Sequence, residues 1–312
     1  MRRPLDYMFL YIKGLCIGAT GVLQGISGGS MALLVGVYQE FIFSIRAVDR
    51  TALKLLRQKN FREFWRRING GFLLVLFAGI ISGLLALRTI FSYYYNTFPI
   101  YLSSFFFSLV IIAALLLLRK ITRWNALVVI CVFAGLGLSY LVTRSSPVAL
   151  PDNVLFAFVS GMLGGSTFVV PGVSGAFILI FFGKYQYILT SFGSLESDVI
   201  TFFVSGGILG LVVFARFIAA MLAKYFNATV AFFAGLMIGS LNKIWPWREV
   251  FEYATTVQGK RIPAFDKSIL PWRYLELTGK DPQIFYAILM MALGVFIVVL
   301  IEKIAARLKT KS

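Results

Sequence analysis

Two short glycine-rich segments carry a serine at the same place and lie 147 positions apart in the chain. The first is Gly-Ile-Ser-Gly at 25–28, and the second is Gly-Val-Ser-Gly at 172–175. Seven residues after each copy comes a Gly-x-Tyr-Gln element, at 36–39 and 183–186. Serine hydroxyls and free backbone amides in such segments are donors that bind phosphate or carboxylate groups. The chemistry predicted here is anion binding at two related places.

The glycines, together with Pro171, make both segments poor helix interiors. Glycine costs about 1 kcal/mol relative to alanine within a helix, and proline blocks helix continuation. In hydrocarbon, interrupted backbone is tolerated where it is buried in protein or lines a wet cavity. A helix that restarts after the break presents unpaired N–H groups at the positive end of its dipole. The residues predicted to bind an anion there are Gly25, Ser27, Gly28, Gly29, Ser30, Gly172, Ser174 and Gly175, with Pro171 in the lining.

Glycines also pair at a four-residue spacing elsewhere in the chain. Such pairs let two helix backbones approach closely in a membrane. Helix packing is therefore predicted for Gly14/Gly18, Gly79/Gly83, Gly206/Gly210 and Gly235/Gly239. Gly14 and Gly18 recur as Gly161 and Gly165 at the offset of the serine motif, so the duplication extends upstream. For the serine motif, close packing is the alternative to an anion site.

Five ionisable side chains lie in or beside apolar segments, where charge is costly and usually functional. Lys13 and Lys184 are predicted to bind an anionic head group, and Glu40 to carry a proton or pair with a lysine. Arg46 and Arg216 are placed to gather an anion at the cytoplasmic ends. The alternative is that these side chains reach the interface as simple anchors. Two recurring pairs are predicted to line the site, with packing as the alternative: Tyr38, Gln39, Tyr185 and Gln186.

The composition is that of a helical membrane protein. The 312 residues are 59% hydrophobic and 14% charged, whereas soluble domains carry about 25% charged residues. Apolar runs of about twenty residues follow one another, and this is the length that spans a bilayer as a helix. Alternating polar and apolar segments of about ten residues are absent, which argues against an outer-membrane barrel.

The chain contains no histidine and two cysteines. Without histidine it lacks the commonest general base and the usual zinc ligand. Cys16 and Cys131 both lie in apolar runs, so neither a disulfide framework nor a thiolate metal site is expected. No cofactor and no metal are predicted.

The apolar runs divide the chain into two related parts, 1–147 and 148–312. In each part a helical hairpin, expected to be re-entrant, is followed by three transmembrane helices. The predicted elements are hairpins at 7–45 and 154–192, spans near 70–88, 98–118, 124–142, 199–216, 226–245 and 283–301, a basic cytoplasmic segment at 46–69 and an external loop at 246–281. A hairpin returns the chain to the side it entered from, and three spans are odd, so the second part starts on the opposite face. The predicted fold is an all-α integral membrane protein with an inverted-topology repeat, and its chemistry is expected where the two serine motifs meet.

Most of the net charge of +17 falls on one predicted side of the membrane. With the N-terminus inside, the inside segments hold nineteen basic residues against four acidic ones, and the outside segments hold nine against eight. This cytoplasmic excess obeys the positive-inside rule with both termini cytoplasmic. It also attracts anionic membrane lipids, which are expected partners. A nucleic-acid partner is not expected, and the sequence does not determine the oligomeric state.

The 246–281 segment is the longest predicted outside loop. Trp245, Trp247 and Trp272 flank it, as in the aromatic belt at a membrane interface. Two alternatives stay open for this segment, a small external cap and an ordinary loop.

The duplicated pattern of Pro-Gly-Val-Ser-Gly and Gly-x-Tyr resembles the polyprenyl-phosphate transporter family (PopT-like), long known only as a membrane domain family of unknown function. The resemblance covers essentially the whole chain. The core motif positions that it implies are Gly25, Ser27, Gly28, Pro171, Gly172, Ser174 and Gly175. The first copy departs from the family pattern, with Gln24 where proline is usual and Ser30 where threonine is usual. This departure implies a softer first break.

For function, the resemblance implies translocation of undecaprenyl phosphate, the lipid carrier of cell-wall precursors, across the bacterial inner membrane. The family is implicated in returning this lipid to the cytoplasmic leaflet, so the expected substrate is a polyprenyl phosphate and no enzymatic activity is expected. An undecaprenyl-pyrophosphate phosphatase is one alternative. It shares a Pro-Gly-x-Ser element, but its motif continues with an arginine where this chain has Gly175, and it uses a histidine, which this chain lacks. A transporter of a small soluble anion is the other alternative.

Overall fold

The computed structural model describes residues 3–20, 27–145, 148, 150–255 and 261–309. The helices of the first part are α1 Pro4–Thr20, α2 Gly28–Leu34, α3 Tyr38–Arg46, α4 Arg50–Arg57, α5 Phe61–Arg67, α6 Gly70–Thr97, α7 Pro99–Arg119 and α8 Ala126–Arg144. The second part holds α9 Val154–Ser166, α10 Gly175–Phe181, α11 Tyr185–Gly193, α12 Ser197–Lys224, α13 Phe226–Ile244, β1 Arg248–Thr255, β2 Arg261–Ser268, α14 Pro271–Thr278 and α15 Ile284–Lys309. The predicted helical fold is confirmed, with one pair of strands added to it among these residues.

Helix length and hydropathy identify the membrane-spanning part of the chain. Among the described residues, α7, α8 and α12 are long and apolar enough to cross a membrane, and two bent helix pairs would raise the number of spans to five. The bent pairs are α5 with the first part of α6, at 67°, and α10 with α11, at 107°. The chain is therefore a multi-pass membrane protein.

The six predicted spans coincide with α6, α7, α8, α12, α13 and α15, and their starts agree within two residues. Three helices continue well past the predicted ends, because α6 ends at Thr97, α12 at Lys224 and α15 at Lys309. Apolar length indicates which part of a helix suits a bilayer. The helix itself continues until a stop signal ends it.

The second arm of each predicted hairpin is two helices rather than one. In the first hairpin this arm breaks between α2 and α3 at Gly36, where φ is +74°. In the second hairpin it breaks between α10 and α11 at Gly183, where φ is +66°. Glycine enters this left-handed region without the steric cost of a Cβ atom and commonly ends a helix there. The Gly-x-Tyr-Gln element is thus a helix stop followed by a helix start, a division of the hairpins that was not predicted from the sequence.

Glycine pairs bring the first helix of each part against a long helix. On α1, a Cβ added to Gly18 would lie 2.0 Å from the carbonyl oxygen of Ile80 on α6. On α12, a Cβ added to Gly210 would lie 1.9 Å from the carbonyl oxygen of Met162 on α9. The backbones touch with no room for a side chain, so the predicted packing role of these pairs is confirmed.

α13 lies inside the bundle, in contact with α7, α8 and α12. Its Gly235 faces α8, where an added Cβ would lie 2.1 Å from the carbonyl oxygen of Val132. Gly172 of the second serine motif contacts the backbone of the next two residues of α13, Leu236 and Met237. A Cβ added to Gly172 would lie 2.7 Å from the carbonyl carbon of Leu236 and from the nitrogen of Met237. α13 therefore lies between α8 and the second break, in close backbone contact with both.

The described part of the 246–281 segment is ordered structure. β1 and β2 pair antiparallel, and α14 follows them. The indole N–H groups of Trp245 and Trp247 donate to the backbone carbonyls of Ile269 and Pro282, at 2.7 and 2.8 Å. These bonds tie the segment to the ends of α13 and α15, so the alternative of an ordinary loop does not hold for the described residues.

Candidate functional site

The two serine motifs lie against each other in the bundle. Ser27 caps the start of α2, where its Oγ accepts the N–H of Gly29 at 3.1 Å. The same hydroxyl donates to the backbone carbonyl of Val170 at 2.9 Å, with the carbonyl of Thr167 at 3.3 Å. A serine of the first motif is therefore bonded to the chain just before the second motif.

Two further side chains of the first part bond to the second break. The Oγ of Ser30 accepts the N–H of Gly172 at 2.9 Å, and the buried hydroxyl of Tyr38 donates to the carbonyl of Val169 at 2.5 Å. Backbone groups in a membrane interior must find partners within the protein, because no water is present to pair them. Ser27, Ser30 and Tyr38 supply those partners, and their own polar atoms are used in doing so.

The motif glycines allow this close contact. A Cβ added to Gly29 would lie 3.2 Å from the carbonyl oxygen of Phe168, and one added to Gly28 would lie 3.5 Å from the Phe168 ring. Gly172 has φ of +85° and leaves no room for a Cβ against Met237. Part of the motif thus serves packing, which was the alternative to anion binding.

The second motif differs from the first in its side-chain bonding. Ser174 precedes α10 as Ser27 precedes α2, but its hydroxyl makes no hydrogen bond to any residue that the structure describes. Ser174 is nevertheless almost buried, with 6% of its surface exposed, and Pro171 in the same motif is fully buried. Gly175 is the first residue of α10, whereas Gly25 of the first motif lies outside the described residues.

A cavity of about 210 Å³ opens beside Ser174, between the second break, α8, α10 and α13. Leu138, Phe177 and Leu236 are among the apolar residues that line it. The polar side chains of its described lining are Ser139, Thr143, Ser174, Ser240 and Lys243. A small, mostly apolar cavity with a few converging polar groups is the usual form of a ligand site.

The hydroxyls of the cavity fall into two kinds. Those of Thr143 and Ser240 donate to carbonyls in the preceding turns of their own helices, at 2.9 and 2.8 Å. Those of Ser139 and Ser174 have no hydrogen-bond partner among the described residues, although these serines are 4% and 6% exposed. These two hydroxyl groups are therefore available to bond to a molecule in the cavity.

Lys243 is the charged member of the described lining, and it is paired with an acid. Its Nζ lies 2.6 Å from Oδ1 of Asp266 on β2 and 5.6 Å from the centre of the Phe177 ring. The other carboxylate oxygen of Asp266 bonds to Arg248, which also donates to the carbonyl of Asn242 at 2.6 Å. Burial acts to raise the pKa of Asp266, but the hydrogen bonds and charges of Arg248 and Lys243 outweigh it and hold the pKa below its usual value. Two cations share one carboxylate, so the cluster keeps a positive charge.

The two helices that begin at the predicted anion sites are short. α2 and α10 contain seven residues each, and a helix of this length aligns few peptide dipoles. At α2, the N–H of Gly29 is already bonded to Ser27. Lys243 is therefore a stronger source of positive potential at the cavity than either helix end.

Lys184 is fully buried, but it does not line the cavity. Its Nζ donates to the carbonyls of Leu150 and Pro151, the latter at 2.7 Å, and to the carboxylate of Asp152. An ammonium group has three donors, and all three are used here. Lys184 thus fixes the segment that leads into α9.

The other predicted charged residues also stand away from the described cavity lining. Lys13 is half-buried on α1, and Arg46 is exposed at the end of α3. Glu40, in the first turn of α3, accepts a hydrogen bond from Asn69 at 2.7 Å. Arg216 on α12 donates to a backbone carbonyl just after α3. This last bond connects a long helix of the second part to the start of the basic segment of the first.

The recurring tyrosine and glutamine pairs occupy different environments. Tyr38 is bonded to the second break, and Gln39 is exposed. Tyr185 is half-buried, and both polar side-chain atoms of Gln186 are buried with no partner among the described residues. The duplicated sequence therefore does not give duplicated contacts.

The sequence does not single out Ser139, Ser240 or Lys243 as site residues, and Lys243 is one of the nine basic residues of the predicted outside segments. Serines within spans are common, and Lys243 lies at the end of an apolar helix, where lysines often serve as anchors. One signal was present. The outside segments hold nine basic and eight acidic residues, a balance that favours pairs such as Lys243 with Asp266.

Together, the fold and the site define a class of protein: a multi-pass helical membrane protein whose broken helices meet within the bundle beside a polar cavity. Broken helices that meet in this way are typical of substrate sites in secondary transporters. Among the described residues, no group of His, Cys, Asp and Glu side chains is arranged to hold a metal ion.

The chain belongs to the VCA0040-like, undecaprenyl phosphate translocase-like family, whose model matches residues 17–262. A protein of Vibrio cholerae serotype O1 named polyprenyl-phosphate transporter is 31% identical over 305 residues, covering 98% of this chain and 99% of that protein. A protein of the same name from Staphylococcus aureus is 26% identical over 254 residues, covering 75% of this chain and 85% of that protein. No solved structure matches the chain. The resemblance carried by the duplicated motif is thereby confirmed.

Proposed function

We propose that this protein translocates undecaprenyl phosphate across the bacterial inner membrane and returns it to the cytoplasmic leaflet for reuse in cell-wall precursor synthesis. Family membership supports a lipid phosphate as the substrate, because the family is described as undecaprenyl phosphate translocase-like and two relatives are named polyprenyl-phosphate transporters. The observation that carries the proposal is the contact between the two serine motifs, with a polar cavity beside the second.

The proposed mechanism uses the two parts of the chain, 1–147 and 148–312, as inverted repeats. This is supported by their packing, because α1 lies on α6 as α9 lies on α12, through glycine pairs in both cases. Rocking of one repeat against the other exposes the head-group site to each leaflet in turn, while the long tail stays in lipid. The bonds from the first motif to residues 167–172 connect the two moving parts.

Both termini are proposed to be cytoplasmic, with re-entrant hairpins. The 107° bend between α10 and α11 fits either a broken span or a re-entrant loop. For energy coupling we propose proton transfer through Glu40, a half-buried carboxylate in the first turn of α3.

Purified protein in liposomes tests the function. One set of vesicles carries undecaprenyl phosphate, another carries its pyrophosphate, and both leaflet exchange and released phosphate are followed in each. We expect exchange of the monophosphate without phosphate release. Protein-free vesicles give the background, and a Glu40→Gln variant measured from pH 6 to pH 8 is expected to lose the pH dependence of exchange.

Other results of this assay favour the alternatives. Phosphate release from the pyrophosphate would make the protein a phosphatase that works without histidine. Uptake of a soluble phosphate ester with no lipid exchange would make it a transporter of small anions. A Glu40→Gln variant with an unchanged pH dependence would remove Glu40 from the coupling.

Anionic membrane lipids are proposed as partners of the basic segment, which folds as α4 and α5. These helices expose Leu53, Leu56, Phe61 and Trp65 beside their arginines and lysines. Exposed apolar and basic side chains on short helices suit a membrane interface, where each basic residue gains about 1 kcal/mol from anionic lipid.

We expect replacement of Arg50, Lys54 and Arg57 by glutamine to reduce the protein's thermal stabilisation by anionic vesicles, and to leave its stability in neutral vesicles unchanged. Thermal unfolding in the two lipid compositions measures this difference. An equal change in both compositions would mean that these basic residues act within the protein instead.

A further inference from the structure

Two features of the cavity are not explained by helix packing. One is that Ser139 and Ser174, two nearly buried residues of the cavity lining, have hydroxyls with no partner among the described residues. The other is Lys243, a lysine that lines the cavity while its Nζ is bonded to Asp266 at 2.6 Å. Hydroxyls that line a cavity without a partner in the protein can donate to a molecule with acceptor atoms.

We propose that the cavity binds the terminal phosphate of a phosphate monoester through Ser139, Ser174 and Lys243. In this proposal Asp266 is paired with Lys243 until the phosphate displaces it. This inference rests on the proposed function and specifies the binding site and the ligand class. The three donors come from α8, the second break and α13. A monoester presents three terminal oxygens, one for each donor, whereas a diester presents two.

Arg248 lowers the free-energy cost of separating Asp266 from Lys243. Asp266 bonds to Arg248 through its other carboxylate oxygen, so it stays paired when Lys243 turns away. Arg248 itself is held by the carbonyl of Asn242 at 2.6 Å and does not line the cavity. Breaking a buried pair is costly because it leaves an unpaired charge, and the second cation avoids that cost.

Charge also selects the ligand. Lys243 and Arg248 supply two positive charges against the single negative charge of Asp266. A phosphate monoester carries between about −1.5 and −2 near pH 7, which balances the excess better than the single charge of a diester. The cavity is therefore expected to prefer a monoester over the phosphodiester head groups of ordinary phospholipids.

The test uses full-length protein in detergent with geranyl phosphate as the probe and tryptophan fluorescence as the readout. Trp245 and Trp247 anchor the segment that carries Asp266. We expect Lys243→Gln to weaken binding by about tenfold or more, the range for loss of a charge-assisted hydrogen bond. We expect Asp266→Asn to tighten binding severalfold, because Lys243 loses its competitor. Lys267→Gln, an exposed lysine on the same strand, is the matched control and should bind as the wild type does.

The opposite signs separate a binding role from a structural one. If the pair only stabilises the fold, Lys243→Gln and Asp266→Asn weaken binding alike, and the proposal fails. Should Lys243→Gln not fold, Asp266→Asn and a Ser139→Ala/Ser174→Ala double variant still decide, since the latter is expected to lose affinity. The methyl ester of geranyl phosphate should bind about tenfold more weakly than geranyl phosphate itself, and equal binding of the two overturns the proposed ligand class.

Lipid exchange by the same variants keeps this inference distinct from the proposed function. Wild-type exchange that persists undiminished in Lys243→Gln removes Lys243 from the site and leaves the translocase standing. Binding with the expected pattern of variants, but no exchange by the wild type, supports the phosphate site and removes the transport function.

Discussion

At the scale of single residues, the two motif serines have different work despite their identical setting in the sequence. The hydroxyl of Ser27 donates to the carbonyl of Val170 and accepts the N–H of Gly29, so it pairs backbone groups in both parts of the chain. Ser174 has no such bond among the described residues and lines the cavity instead. We therefore propose that one copy of the motif serves stability and the other serves substrate contact.

Single alanine substitutions test this division. Ser27→Ala is expected to lower the free energy of unfolding by about 1–3 kcal/mol, because it leaves buried backbone groups without a partner. Ser174→Ala is expected to stay within about 0.5 kcal/mol of the wild type while reducing lipid exchange. Thermal unfolding in detergent and exchange in liposomes measure the two effects, and equal losses of stability would contradict the asymmetry.

At the scale of elements, glycine decides which helices touch. Gly165 of α9 lies directly against the backbone of α12, whereas its neighbour Gly164 has no atom within 4 Å of an added Cβ. The two glycines are adjacent on one helix and differ in that contact. They form a matched pair for measuring what the close approach contributes.

We expect Gly165→Ala to destabilise the protein by about 1–3 kcal/mol, the usual cost of overpacking. Gly164→Ala should be neutral or stabilise by up to about 1 kcal/mol, because alanine is the better helix former. Thermal unfolding of both variants in the same detergent measures the difference. Similar melting temperatures for the two would show that α9 and α12 separate easily.

At the scale of the whole molecule, the distribution of basic residues makes a prediction about orientation. The basic α4 is placed in the cytoplasm, and β2 is placed outside. In a background with Cys16 and Cys131 replaced by serine, Lys267→Cys should react with a membrane-impermeant maleimide in intact cells. Arg57→Cys should react only after the membrane is permeabilised, and the reverse pattern would invert the topology.

Much of the architecture follows from the sequence because it depends on local composition. Apolar length placed the starts of six helices within two residues, and the four-residue glycine spacing identified the packing surfaces of α1, α6, α12 and α13. The duplicated motif identified the second break and the family. The splitting of each second arm at Gly36 and Gly183 was missed, because a single glycine inside an apolar run is compatible with a continuous helix.

The cavity was decided by tertiary structure. Asp266 stands 23 positions after Lys243, and Ser139 lies on another helix, so no local pattern connects them. Their meeting depends on how α8, α13 and the β1–β2 pair pack around the second break. The sequence by itself determined where the chain crosses and breaks, since those are properties of short segments. Which hydroxyls remain free, and which lysine faces them, depends on contacts between segments far apart in the chain.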